Sequence, residues 1–261
     1  MQLFKRAKRD YFSACEYWVY VPGEEVPSQE KLITRMVAEN PHSRDGYSAI
    51  GSKEGMLFSD VRLHIGLVLR SKNPHVFRPD LFGEAVHPTE ETLSRLAKAH
   101  AVLKVRYVSQ IQLPDDRHIQ FTAHLADAVA DLEHGTVIYD VVSEQLRTAE
   151  DYKAMLAIDR EATRFDAHVQ VVWFKEAHAG HGQTRGLIKK GLPELRTDDA
   201  HLDHQVLVTE VLLEAARKIW NQGEIPNEME IPAYDDTFRL SLVPTKTGPY
   251  RVRIARIALS S

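Results

Sequence analysis

A single cysteine, Cys15, stands in a chain of 261 residues. That excludes a disulfide framework and fits a reducing compartment, so the expected location is the cytoplasm. No apolar run approaches the roughly 20 residues needed to cross a bilayer, so no membrane partner is expected. Positive charge is not in excess: the formal net charge is -4, and no global field draws the chain to nucleic acid or anionic lipid. Gly/Ser linkers, low-complexity tracts and solenoid-length repeats are absent. So are G-x-S-x-G, H-E-x-x-H and any cysteine pair. The stretch G-S-K-E-G at 51–55 lacks the spacing of a phosphate loop and a helix directly after it.

What is present is ordinary globular material, 43% hydrophobic and 27% charged, with thirteen histidines. Residues 1–14 carry Lys5, Arg6, Lys8 and Arg9 with no apolar stretch behind them, and read as a polar arm rather than a secretory signal. Residues 15–160 and 167–261 read as two domains, divided at the charged stretch 159–166. The expected class is α+β: two sheet-and-helix halves, with largely antiparallel sheets and helices packed on one face.

The stretch 118–151 organises the first half. Phe121, Leu125, Ala128, Val129 and Leu132 recur at helical spacing. His134-Gly135 should end that helix, with the glycine taking a left-handed conformation. Val137 to Val142 is nearly unbroken apolar sequence and predicts a buried strand. Asp140 inside it should accept backbone hydrogen bonds from the following turn, or else serve catalysis. Thr148-Ala-Glu-Asp151 has capping-box spacing and should open another helix. Before this stretch, 15–21 predicts a strand, Ser28 caps a helix, 47–59 is a strand or loop with tight turns, and 61–69 alternates as a strand. Thr89 caps a helix that should bury Leu93, Leu96 and Ala97, and 102–108 predicts a strand. In the second half, 169–174 predicts a strand and 176–182 a flexible glycine loop. Residues 184–196 predict two short strands around Lys190-Gly191. A long helix over 204–220 should bury Val208, Val211, Leu212, Ala215 and Ile219 and stop at Gly223. The strands 238–243 and 250–259 predict a hairpin.

Two groups of residues carry chemistry by type and spacing. His178/His181 and His201/His204 are His-x-x-His pairs. On a helix such pairs share a face, and with Glu176, Asp199 or Asp203 nearby they would suit a divalent metal and a metal-dependent hydrolase. Their plain reading is two solvated polar segments. Arg185, Lys189, Lys190 and Arg196 form a local basic cluster. It reads either as a charged edge strand guarded against aggregation or as a docking patch for an acidic partner. Arg251 and Arg253, on one face of their strand, and Arg256, on the other, extend the same idea. Only Tyr250 interleaves with these charges, which disfavours a nucleic-acid surface.

Two segments resemble known families. G-T-V-I-Y-D at 135–140, between an alanine-rich helix and the capped helix at Thr148, resembles a pattern in uncharacterised bacterial α+β families. So does T-R-G-L-I-K-K-G-L-P-E-L at 184–195, through Thr184, Gly186, Gly191, Pro193 and Glu194. The pattern usually has an aromatic residue before its second glycine, where this chain has Lys190. Some of those domains of unknown function stand in toxin–immunity neighbourhoods. The resemblance implies a two-part α+β fold and a binding role, and transfers no catalytic residue. The expected function is therefore a cytoplasmic protein-binding module of immunity or regulatory type, without catalysis and without a cofactor, with a homodimer left open. The alternative is the metal-dependent hydrolase.

Overall fold

A computed structural model describes residues 11–38, 60–82, 86–158, 164–246 and 248–257. The readings placed on 47–59, on most of the polar arm and on 159–163 lie outside the described residues. The fold is α+β, with two mostly antiparallel sheets. Chain contacts divide it into two compact units. One contains the described residues of Ala14–Val108 and Leu113–His168, and the other those of Met1–Ser13, Ser109–Gln112 and Val169–Ser261.

The first sheet holds β1 (Ser13–Val21), β2 (Leu63–Leu69), β3 (Ala101–Ser109), β4 (Val137–Asp140) and β5 (Gln145–Thr148), in the order β2-β3-β1-β4-β5. Its helices are α1 (Gln29–Ala38), α2 (Glu90–Lys98), α3 (Arg117–Leu132), α4 (Ala149–Ile158) and the short α5 (Phe165–His168). Helix starts lie where side-chain oxygens can take the first free amides. Ser28 Oγ accepts from the Lys31 N–H at 3.3 Å and Thr89 Oγ1 from the Thr92 N–H at 3.2 Å. At Thr148 the side chain caps the helix: Oγ1 accepts from the Asp151 N–H at 3.1 Å, and the hydroxyl donates to the Asp151 carboxylate at 2.8 Å.

Alternation along β1 covers the sheet on both sides. Tyr17 meets Tyr152 of α4 edge-on, with ring centroids 6.0 Å apart. The Tyr152 hydroxyl donates to the Ala123 carbonyl of α3 at 3.2 Å. Tyr20, on the other side, packs with Val76, Phe77, Phe82, Leu96 and Tyr139.

Several local expectations are corrected. The strand from Val137 stops at Asp140, not Val142. Asp140 Oδ1 accepts from the Val142 and Ser143 amides, both at 3.2 Å, and this turns the chain back into β5, a strand absent from the sequence reading. At the end of α3 the left-handed residue is His134, at φ 53°, while Gly135 has no positive φ. The Gly135 N–H closes the turn on the Ala130 carbonyl at 2.7 Å. Glycine is required there for space: a Cβ would lie 2.8 Å from Val19 Cγ1 and 2.9 Å from Ala130 Cα. In α2, Thr92 and Leu96 are buried and Ala97 is exposed.

The second sheet holds β6 (Gln170–Glu176), β7 (Ala179–Arg185), β8 (Leu195–Thr197), β9 (Ala200–His201), β10 (Glu228–Ala233), β11 (Asp236–Val243) and β12 (Tyr250–Ile257). The order is β10-β11-β12-β8-β7-β6, with β9 on β7. The β12–β8 pair is parallel, and the β6–β7, β7–β8, β7–β9, β10–β11 and β11–β12 pairs are antiparallel. Helix α6 (Gln205–Gln222) packs on β6, β7, β8 and β10. It buries Val211, Leu212, Ala215, Ala216, Ile219 and Trp220, with Val208 only half-buried. Gly223, at φ 74°, ends it.

Two readings of this unit change. Residues 176–182 are a hairpin, not a flexible loop, and Ala177–His178 is its two-residue turn, Ala177 having φ 26°. Gly180 and Gly182 lie inside β7, where their missing side chains leave room for Trp173 and for Leu212 of α6. Residues 187–190 are a 3-10 turn, not an edge strand, because Gly186 breaks β7 at φ 113°.

Candidate functional site

The loop from β7 to β8 is built on Glu194. Its carboxylate accepts from the Thr184 hydroxyl at 2.7 Å, the Gly186 N–H at 2.9 Å and the Ile188 N–H at 3.2 Å. Thr184 Oγ1 in turn accepts from the Leu195 N–H at 2.7 Å. Enclosure by the loop pushes the Glu194 carboxyl up from the ordinary value, while its donors pull it down. Gly191 takes φ 71°, and its α-carbon lies against the Tyr11 ring. Every matched residue of the 184–195 motif with a polar or conformational role is thus consumed in closing this loop.

That closure disperses the basic cluster. Lys189 is fully buried. Lys190 Nζ donates to the Trp220 carbonyl at 3.2 Å and lies 4.6 Å from the Trp220 ring centroid. Arg185 is half-buried, 5.4 Å from the centroid of Phe174. Arg196 alone of the four is exposed.

The histidine pairs also separate. A strand sends residues three apart to opposite faces, and His178 sits in the turn besides, so the spacing that suits a helix does not converge here. His178, His201 and His204 are exposed. His201 Nδ1 lies 3.2 Å from the Asp203 carboxylate. His181 is buried, at 6% exposure, and stacks on Phe174 with centroids 5.1 Å apart and planes at 16°. Among the described residues no group of three or more His, Cys, Asp or Glu side chains gathers to hold a metal.

The structure does join one member of each set. Arg196 Nη2 lies 3.4 Å from His181 Nδ1, and Asp199 Oδ1 lies 3.5 Å from the same nitrogen. Burial, and then the Arg196 charge, push the His181 pKa down, against the opposing pull of Asp199 and Glu176. The ring is therefore neutral at neutral pH, and Nδ1 accepts from the guanidinium.

Strand register extends this point into a surface. Gln183 pairs with Arg196, Arg196 with Arg251, Ser241 with Arg253, and Glu230 with Arg239. Paired residues share a sheet face, so four arginines from three strands lie on one side. All four are exposed, while Leu195, Thr197, Leu240, Leu242 and Val252 on the other side are buried. Asp198 ion-pairs with Arg251 and lies 3.8 Å from Arg253, and Glu230 lies 3.3 Å from Arg239. Such exposed pairs are screened and contribute little to stability, so they are readily exchanged. At the β8–β12 end the face dips into an open cleft of about 400 Å³, lined by Arg196, Thr197, Asp198, Asp199, Thr245, Pro249 and Arg251.

Sequence reasoning named Arg196, Arg251 and His181 separately but missed Arg239, Asp198 and the face itself. Only strand register brings them together. No protein-family model, curated protein or solved structure gives a significant match to the chain. No described helix is long and apolar enough to cross a membrane.

Proposed function

We propose that the chain is a protein-binding module of the immunity or regulatory type, acting without catalysis, and that it meets an acidic partner on the arginine-bearing face of its second sheet. One observation carries this reading. Arg196, Arg251, Arg253 and Arg239 stand exposed on one face, while the opposite side of the same strands is buried. Charge laid out on a rigid sheet selects partners by complementarity and speeds their encounter. Of the residues that stood out by type and spacing, Glu194 and Thr184 close a loop, and the exposed histidines do not converge.

The test is affinity purification from the source cells with the wild-type chain and with the Arg196→Glu/Arg251→Glu/Arg253→Glu variant, followed by titration of the purified partner. An acidic partner held by wild type, lost by the variant and weakened by salt supports the reading. A partner retained equally by both places recognition elsewhere. Turnover of a substrate by the purified chain would contradict the non-catalytic part.

A further inference from the structure

We propose that the cleft at the β8–β12 end of this face is a carboxylate subsite, in which Arg196 binds an acidic side chain of the partner protein and His181 positions Arg196. This rests on the docking reading above and deepens it.

Two like charges stand side by side at the cleft. Arg196 and Arg251 are directly paired on adjacent strands, a distance at which two guanidinium groups repel unless an anion lies with them. Asp198 supplies that anion to Arg251. Among the described residues no carboxylate lies within ion-pair distance of Arg196, whose recorded polar contact is His181 Nδ1 at 3.4 Å. A guanidinium has five N–H donors in a planar fork suited to a carboxylate, and this contact engages one edge of it. His181 is itself fixed. It is buried and stacked on Phe174, so it presents Nδ1 at a set point and orders the arginine before any ligand arrives. Preorganisation of this kind favours a specific contact over diffuse attraction. The open cleft beside Arg196 has room for one acidic side chain and the backbone that carries it.

The groups facing His181 are Arg196 on β8, Asp199 in the following loop and Glu176 on β6. When His181 takes a proton, Nδ1 becomes a donor. Without moving, it then donates toward Asp199, 3.5 Å away, and its charge repels Arg196. Acidification should therefore weaken carboxylate binding here, whereas a general rise in positive charge from the other histidines would strengthen it.

The experiment measures fluorescence anisotropy of a labelled hepta-glutamate peptide with the full chain at low salt, and circular dichroism confirms that each variant is folded. Arg196→Gln should weaken binding about 10-fold or more, the scale of a lost charge-assisted contact. Arg196→Lys should fall between that variant and wild type. Arg239→Gln, on the same face outside the cleft, should lose only about 2- to 3-fold, as a peripheral charge does. Arg256→Gln, on the other side of β12, should match wild type. Lowering pH from about 7.5 to about 5.5, across the ordinary histidine range, should weaken the wild type relative to His181→Gln, most at the acid end because the His181 pKa is pushed down. Equal losses in Arg196→Gln and Arg239→Gln would overturn the subsite and leave the docking reading standing. A wild type whose binding follows the same pH dependence as His181→Gln would remove the role given to His181. Absence of peptide binding to the wild type, or tighter binding of a single-stranded oligonucleotide than of the peptide, would overturn the docking reading and the subsite together.

Discussion

Thr184 and Glu194, ten residues apart, are joined by a 2.7 Å hydrogen bond from hydroxyl to carboxylate. The hydroxyl oxygen also accepts the Leu195 amide, and the carboxylate also accepts the amides of Gly186 and Ile188. The two side chains close the loop between β7 and β8 and so place the start of β8, where Arg196 stands.

Removing that carboxylate should loosen the whole loop. Glu194→Ala is expected to cost about 2–4 kcal/mol, because it leaves enclosed amides without an acceptor. Glu194→Gln should cost less, since one acceptor oxygen remains. The sign of the pH effect follows from the raised pKa. The folded state holds the proton more tightly than the unfolded chain. Its contribution is therefore complete below the unfolded value and shrinks as pH rises through the folded one. Wild-type stability relative to Glu194→Gln should fall with rising pH just above the ordinary glutamate range and then level off. Urea melts of both proteins across that range check this.

The end of α3 gives two substitutions of opposite sign. His134 occupies a left-handed conformation at φ 53°. His134→Gly should remove that strain and stabilise by about 0.5–1 kcal/mol. Gly135→Ala should destabilise by about 1–3 kcal/mol, because the added methyl meets Val19 Cγ1 and the Ala130 backbone within 3 Å. Thermal melts of the two variants would separate the effects.

The glycines of β7 should differ from each other. A Cβ at Gly180 would lie 2.5 Å from the Phe174 carbonyl oxygen and against Trp173 Nε1. At Gly182 the nearest atom would be Leu212 Cδ2 at 3.2 Å. Gly180→Ala is expected to displace the Trp173 indole, with a changed tryptophan emission and a loss of about 1–3 kcal/mol. Gly182→Ala should be the milder change, since only the end of a leucine side chain must give way.

At the opening of α4, Thr148→Ala removes a cap that both donates to and accepts from Asp151. The expected cost is about 1 kcal/mol. Thr148→Ser should recover most of it, which a denaturant titration of the pair would show.

Local chemistry was legible in the sequence. The caps at Ser28, Thr89 and Thr148, the stop at Gly223 and the aspartate turn at Asp140 each depend on groups a few residues apart. Non-local substitutions of volume and charge were not. Gly180 and Gly182 looked like loop residues because the bulk that fills their strand comes from Trp173 and Leu212. The hairpin at Ala177–His178 escaped because its turn lacks the usual Asn-Gly or Asp-Gly signal. Lys190-Gly191 looked like a turn between strands because nothing beside it showed that Glu194 would cap a 3-10 turn there. For the candidate site, residue type pointed to Arg196 and His181, but their meeting depends on strands β6, β7 and β8 being placed side by side.

The place of β12 has a consequence for how the second unit is made. In chain order this strand follows every other strand of its sheet, yet in the sheet it lies between β11 and β8. Ribosomes deliver a chain in order, at roughly 5–20 residues per second. Until Tyr250–Ile257 has emerged, no strand pairing joins the ribbon β6–β9 to the ribbon β10–β11, and each has an unpaired edge where β12 will later sit. The two ribbons become one sheet only when that strand slides in between them. For that interval the newborn protein is most open to mispairing with its neighbours, and shielding by a chaperone would matter most.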